Sequence, residues 1–214
     1  MLLNYWKQPI ETVPVSIWDQ RDATGLILAE TGLRELPDAV GNLTRLSMLD
    51  LGHNALTALP ASLGELVQLR DFLYLHDNQL SALPASLGRL GRLRYLNLGQ
   101  NRFEELPACV CAMTGLVELR LEKNRLTALP ASLAALTRLR ELHLRDNRLV
   151  ELPGSIGELT DLRLLDLRGN PLRHLPEGLA RLPRLAKLDL RWTSPPFEAP
   201  WLAELEERGC LVYR

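Results

Sequence analysis

Six asparagines set the frame of this chain. Asn54, Asn78, Asn101, Asn124, Asn147 and Asn170 follow one another at intervals of 24, 23, 23, 23 and 23 residues. Leucines precede them at fixed distances, as Leu46, Leu49 and Leu51 do Asn54, and a Leu-Pro pair follows, from Leu59-Pro60 to Leu175-Pro176. Run back one period, the frame places Thr31 in the Asn slot, with Leu26 and Leu28 before it and Leu36-Pro37 after; run forward, it places Thr193 there, behind Leu185, Leu188 and Leu190. Eight repeats result, over residues 23–193. A unit of this length cannot bury its apolar face alone, so the units must stack and each must touch mainly its neighbours. The bias in composition has the same origin: 52 of 214 residues are leucine and 5% are aromatic, which marks one side-chain slot used repeatedly.

The slots have separate physical meanings. In Leu49-Asp50-Leu51, period-two alternation turns the leucines inward and Asp50 outward, as in a short strand to which each further repeat adds a parallel neighbour. Each Asn enters a turn, where its amide can satisfy backbone groups that stacking removes from water. Proline then ends the turn, and the short apolar segment after it is long enough for a single helical or 3₁₀ turn. One repeat breaks the frame: Arg70, Asp71 and Phe72 separate Leu69 from Leu73, where the other repeats have two residues, and a small bulge is expected there.

The pattern resembles the leucine-rich repeat family, L-x-x-L-x-L-x-x-N-x-L-x-x-L-P-x-x-L-G-x-L-x-x. With a 23-residue period, Leu-Pro, and segments such as Ala61-Ser62-Leu63-Gly64-Glu65-Leu66, it is similar to the intracellular Ras-group, Scribble- and Erbin-like class, a form shared by bacterial stand-alone and effector proteins. The expected fold is an α/β repeat solenoid: a right-handed, curved horseshoe with a parallel concave sheet of eight or nine strands and short helical or 3₁₀ turns on the convex side.

One domain is expected, with caps at 1–22 and 194–214 closing the ends. Trp6, Ile10, Val13, Val15, Ile17 and Trp18 would cover the first repeat. Pro195-Pro196 would stop the last one, ahead of a helix from Pro200 to Gly209 and a final strand at 210–213 in which Leu211 and Val212 join Leu202 and Leu205 in covering the eighth repeat. Nothing at the N-terminus reads as a secretory signal, and no apolar run is long enough to span a bilayer. The three cysteines are odd in number, and Cys109 and Cys111 are too close to pair comfortably, which fits a reducing compartment, the cytoplasm, with an effector secreted without a signal peptide as the alternative.

No phosphate loop, metalloprotease helix, nucleophile elbow or dinucleotide fingerprint is present, so the expectation is a non-enzymatic chain without cofactor. His53 and His76 fall on adjacent repeats but lack a third ligand in register, and no metal site is expected. The charges, 25 basic against 26 acidic residues for a net charge of -1, do not suit nucleic acid. What remains is the outward face of the sheet. Met48, Phe72, Tyr74, His76 and Tyr95 form an aromatic zone there that the leucine framework does not need, and such side chains are typical binding anchors. Arg120, His143, Arg145, Arg168 and Arg191 form a charged zone, open to two readings: a self-satisfied ladder among Glu118, Glu122, Glu141, Asp166 and Asp189, or a surface that orients an acidic segment of a partner. Small residues at Gly25, Ala29, Gly52 and Gly99 would leave a partner room to approach. The expected function is that of a protein-interaction scaffold, a monomer binding a protein or peptide on its concave face, with neither nucleic acid nor membrane as a partner; a bacterial effector-type repeat protein acting in a host cytosol and a dimerising or structural module are the alternatives.

Overall fold

The computed structural model describes residues 1–10, 13–193 and 199–214; the expected stop at Pro195-Pro196 lies outside them. Ten three-residue strands form one parallel sheet in chain order: β1 (Leu2–Asn4), β2 (Gly25–Ile27), β3 (Met48–Asp50), β4 (Phe72–Tyr74), β5 (Tyr95–Asn97), β6 (Glu118–Arg120), β7 (Glu141–His143), β8 (Leu164–Asp166), β9 (Lys187–Asp189) and β10 (Leu211–Tyr213). Register is carried straight across, Met48 beside Phe72, Tyr95, Glu118, Glu141, Leu164 and Lys187. The central leucine of each repeat, from Leu26 to Leu188, is wholly buried. Returning segments cross the other side as 3₁₀ turns, each entered from its proline, as at Ala61–Glu65 and Ala85–Arg89. One repeat instead makes an α-turn, α1 (Ala108–Cys111). These turns pack so closely that a Cβ on Gly64 would meet the Ser86 carbonyl oxygen at 2.4 Å and one on Gly157 that of Gly178 at 2.5 Å. The result is a right-handed solenoid, the hand that parallel crossover connections take.

The extra residue of the third repeat is absorbed ahead of the strand. The amides of Arg70 and Asp71 both donate to the Ser47 carbonyl, and Phe72 then falls opposite Met48 with the register intact.

Leaving each strand, the chain turns through a left-handed residue. Lys7, Glu30, His53, Asp77, Gln100, Lys123, Asp146 and Trp192 have φ between 52° and 59°, and Gly169 occupies the same position at 67°. Eight L-residues in a conformation that costs each of them roughly 1 kcal/mol mean that the stacked backbone imposes the turn on its sequence.

Lys7 reveals what the sequence reading missed. Residues 1–10 and 13–22, expected to lie outside the repeat pattern, follow its path. Leu3 and Tyr5 occupy the leucine positions, Gln8 the Asn position and Val13-Pro14 the Leu-Pro position, one period before Leu26, Leu28, Thr31 and Leu36-Pro37. Strand β1 pairs with β2 in full register. Substitutions at the diagnostic positions hid this unit, so the sheet has ten strands and not eight or nine. Val13, Ile17 and Trp18 enter the core and Ile10 packs against it, but Trp6 and Val15 are exposed. Trp6 lies on the concave side, its indole donating to Glu30 Oε1 at 2.9 Å.

At the other end, α2 (Trp201–Glu207) starts at Pro200 and buries Trp201, Leu202 and Leu205. Gly209 takes φ 88° and turns the chain into β10. There the expectation for Leu211 is corrected: Val212 stands beside Leu188, so Leu211 and Tyr213 face outward and Leu211 is exposed.

Candidate functional site

The asparagines form a continuous hydrogen-bonded ladder beneath the sheet. Asn101 donates to the carbonyls of Leu75, Leu98 and Gly99 at 2.9, 3.1 and 3.2 Å, while its Oδ1 accepts the Leu80 amide at 2.9 Å. Asn54, Asn78, Asn124, Asn147 and Asn170 likewise reach back into the preceding repeat, as in the bonds to the carbonyls of Leu28, Leu51, Leu98, Leu121 and Leu144. The Thr31 side chain makes the local bond, its hydroxyl donating to the Leu28 carbonyl, while the Thr31 amide donates to Asn54 Oδ1. The expectation that Thr31 stands in a terminal repeat with no neighbour before it is corrected, because strand β1 pairs with β2 ahead of it. Together with the backbone pairing of the strands, this ladder ties each repeat to the one before it and keeps the side chains of the sheet in register.

The aromatic zone is a packed cluster centred on Tyr74. Its ring lies 5.3 Å from Phe72, 5.1 Å from Tyr95 and 5.7 Å from His76, and His76 meets His53 edge-on at 4.5 Å. Such tilted and edge-on pairs suit the aromatic quadrupole. The Phe72, Tyr74, His76 and Tyr95 rings are half-buried, not freely exposed as the sequence suggested, because they cover one another. Burial, partly offset by the nearby Arg120 guanidinium, raises the Tyr95 phenol above its ordinary range. Arg120 lies 6.0 Å above the Tyr95 ring. Burial and then His53 hold the His76 imidazole below its usual value. The two Nε2 atoms are 3.1 Å apart, and Asp77 engages His53 Nδ1 at 2.7 Å.

The small residues do not open a gap. A Cβ on Gly52 would meet the His76 ring at 2.4 Å, and one on Gly25 would meet Leu2 at 2.7 Å and Met48 at 2.9 Å. Ala29 is buried, and a Cβ on Gly99 would meet the Glu122 side chain at 3.1 Å. These positions give the large side chains of adjacent strands somewhere to lie.

The charged zone is largely paired within itself. Arg120 binds Glu118 at 2.6 Å; Arg168 makes two bonds to Asp166 at 2.8 and 2.6 Å; Arg191 makes two to Asp189 at 2.9 and 2.8 Å. Each pair joins residues two apart on one strand or leaving it, where alternation puts both on the same face. Asp166 and Asp189 are themselves buried. For Asp189, burial pushes the carboxyl up, but the Arg191 hydrogen bonds and the Arg168 charge outweigh it and the net shift is downward. His143 lies 3.2 Å from Glu141. Arg145 meets Asp146, its neighbour in sequence, at 3.2 Å. A column of arginines free to orient an acidic partner is therefore replaced by carboxylate-anchored guanidinium groups. Asp166 and Asp189, which anchor it, were legible in the columns but not their burial.

Two family models match the chain, a leucine-rich repeat region over residues 61–145 and a leucine-rich repeat over 137–194. A leucine-rich repeat protein of Leptospira interrogans superposes with a TM-score of 0.77 at 26% identity, over 94% of this chain and 56% of that one. The leucine-rich repeat ectodomain of the plant membrane receptor kinase GASSHO1/SCHENGEN3 of Arabidopsis thaliana, solved with CASPARIAN STRIP INTEGRITY FACTOR 2, gives 0.69 at 29% identity, over 86% and 26%. The plant peptide hormone receptor RGFR1, solved with RGF2, gives 0.65 at 27%, over 84% and 34%. The chain thus spans between a quarter and somewhat over half the length of these proteins. No curated protein sequence matches it. The chain belongs to the leucine-rich repeat family.

Proposed function

We propose that this protein is a non-enzymatic interaction module that holds a protein or peptide against its concave face, with Phe72, Tyr74 and Tyr95 at the centre of the contact. The observation that carries the reading is the ring cluster across β4 and β5: these side chains project away from the leucine core, so the fold does not require them. Two matched plant receptors were solved with the factors they bind, which supports a sheet of this kind as a platform for partners. Binding, not catalysis, fits the thiols as well. Cys109, Cys111 and Cys210 are buried and free, and burial pushes Cys109 and Cys210 away from the reactive thiolate. Three unpaired thiols also favour a reducing compartment such as the cytoplasm, although matched plant structures are receptor ectodomains. Among the described residues, no helix is long and apolar enough to cross a membrane.

The test is a peptide library selected on the wild-type chain. Selected sequences are expected to lose about 2 kcal/mol or more of binding to the Tyr74→Ala, Tyr95→Ala double variant, as truncated anchors do, and far less to Arg168→Ala. Equal binding by the double variant, with its fold intact by circular dichroism, places the contact elsewhere and refutes the reading.

A further inference from the structure

Strands β6 and β7 place Glu118 directly beside Glu141 and Arg120 beside His143. Two carboxylates in one column of a parallel sheet stand about 4.8 Å apart and repel. His143 lies two residues after Glu141 on the same face, and its Nε2 is 3.2 Å from Glu141 Oε2 and 3.8 Å from Glu118 Oε1. One donor atom from each of the three lies within 4.8 Å of the others, and all three residues are half-buried. An ion held at about 2.0 to 2.2 Å by nitrogen and oxygen separates its ligand atoms by roughly 3 to 3.5 Å, so small side-chain rotations close this set.

The surroundings favour a cation. Glu122 is a third carboxylate on the same face, and its Oε2 is buried without a hydrogen-bond partner. Arg120 lies within salt-bridge distance of Glu118 and Glu122, at 2.6 and 3.8 Å, whereas Glu141 has His143 alone among the described residues. Among the described residues, Arg120 is thus the one fixed positive charge within salt-bridge distance of these three carboxylates. An imidazole among them separates this group from an ordinary acidic patch, because a nitrogen donor favours first-row transition metals over magnesium or calcium, and the absence of a thiolate disfavours copper(I).

We propose that Glu118, Glu141 and His143 form a binding site for a divalent first-row transition cation such as Zn²⁺, Co²⁺ or Mn²⁺. Three protein ligands on an open sheet leave further coordination positions for water or for an incoming donor. The site depends on these three side chains and on no partner, so it stands or falls separately from peptide binding on the neighbouring aromatic zone.

Co²⁺ titrated into the chelator-treated full chain, followed by visible absorption and calorimetry, tests it. One equivalent is expected to bind and to develop ligand-field bands, with affinity at least about tenfold lower in both His143→Gln and Glu141→Gln and unchanged in His76→Gln. Zn²⁺ is expected to raise the melting temperature of the wild type but not of His143→Gln, with the metal-free variants melting near the wild type to show that they fold. The absence of saturable binding overturns the proposal. So does His143→Gln binding as tightly as wild type, or loss of binding in His76→Gln, which would move the ion to the pair formed with His53.

Discussion

Asn124→Ala tests whether the asparagine ladder, in addition to the leucine core, holds the repeats together. Asn124 Nδ2 donates to the carbonyls of Leu98 at 2.9 Å and Leu121 at 3.0 Å, and Oδ1 accepts the Phe103 amide at 3.1 Å. The losses are unequal. The Leu98 carbonyl keeps a second donor, Asn101 at 3.1 Å, and the Leu121 carbonyl keeps Asn147 at 2.9 Å. The buried Phe103 amide has no other acceptor among the described residues. An orphaned buried donor costs about 1 to 3 kcal/mol, and each shared bond that is lost adds roughly 0.5 kcal/mol or somewhat more. The expected destabilisation is therefore about 2 to 4 kcal/mol. Asn124→Asp should be worse, because it keeps an acceptor for Phe103 but turns a carboxylate toward two carbonyl oxygens. Asn124→Thr should be milder, since Thr31 shows that a hydroxyl can hold the local carbonyl. Urea unfolding at 25 °C, followed by far-ultraviolet ellipticity and by the fluorescence of Trp18 and Trp201 at opposite ends, measures all three, with exposed Arg125→Ala as the control. A loss below about 0.5 kcal/mol for Asn124→Ala, or an Asp variant more stable than the Ala variant, would show that the ladder contributes little and that leucine packing alone sets the stability.

Two further outcomes follow from the same geometry. His76 is held below its unfolded value of 6.5, so the folded state takes up its proton less readily than the unfolded chain. Its contribution to stability is complete above pH 6.5 and falls as the pH drops below that toward the folded pKa. In Gly52→Ala, the new methyl displaces the imidazole toward water; its pKa should rise toward 6.5, and the pH dependence should flatten, as histidine proton resonances and melting curves would record. A chain ending at Thr193 loses Trp201, Leu202, Leu205 and Cys210 from the core and bares the edge of β9. Association in light scattering and a lower melting temperature are expected. A truncated chain that stays monomeric and melts like the intact one would show that this terminus adds no cover.

Periodicity in the sequence is enough to set the path of the chain. Leu49-Asp50-Leu51 and its counterparts are strands because alternation at a fixed period admits one way of burying them, and the columns read from that register are the columns of the sheet. The legibility ended where a repeat departed from its markers: with Tyr5 for leucine, Gln8 for asparagine and Val13-Pro14 for Leu-Pro, the first unit was seen through its hydrogen bonds to β2 and the left-handed turn at Lys7. Tertiary structure alone decided what the outward side chains do. Column position placed Gly52 beside His76, but whether the space lay open or held an imidazole depended on a rotamer; likewise Arg168 could have faced a partner or Asp166. Glu118, Glu141 and His143 were each readable in their columns, while the approach of their donor atoms to within 4.8 Å of one another is set by side-chain torsions. Repetition encodes the backbone many times over, so errors in one unit are outvoted by the rest; each outward side chain is encoded once, and its partner comes from a different repeat.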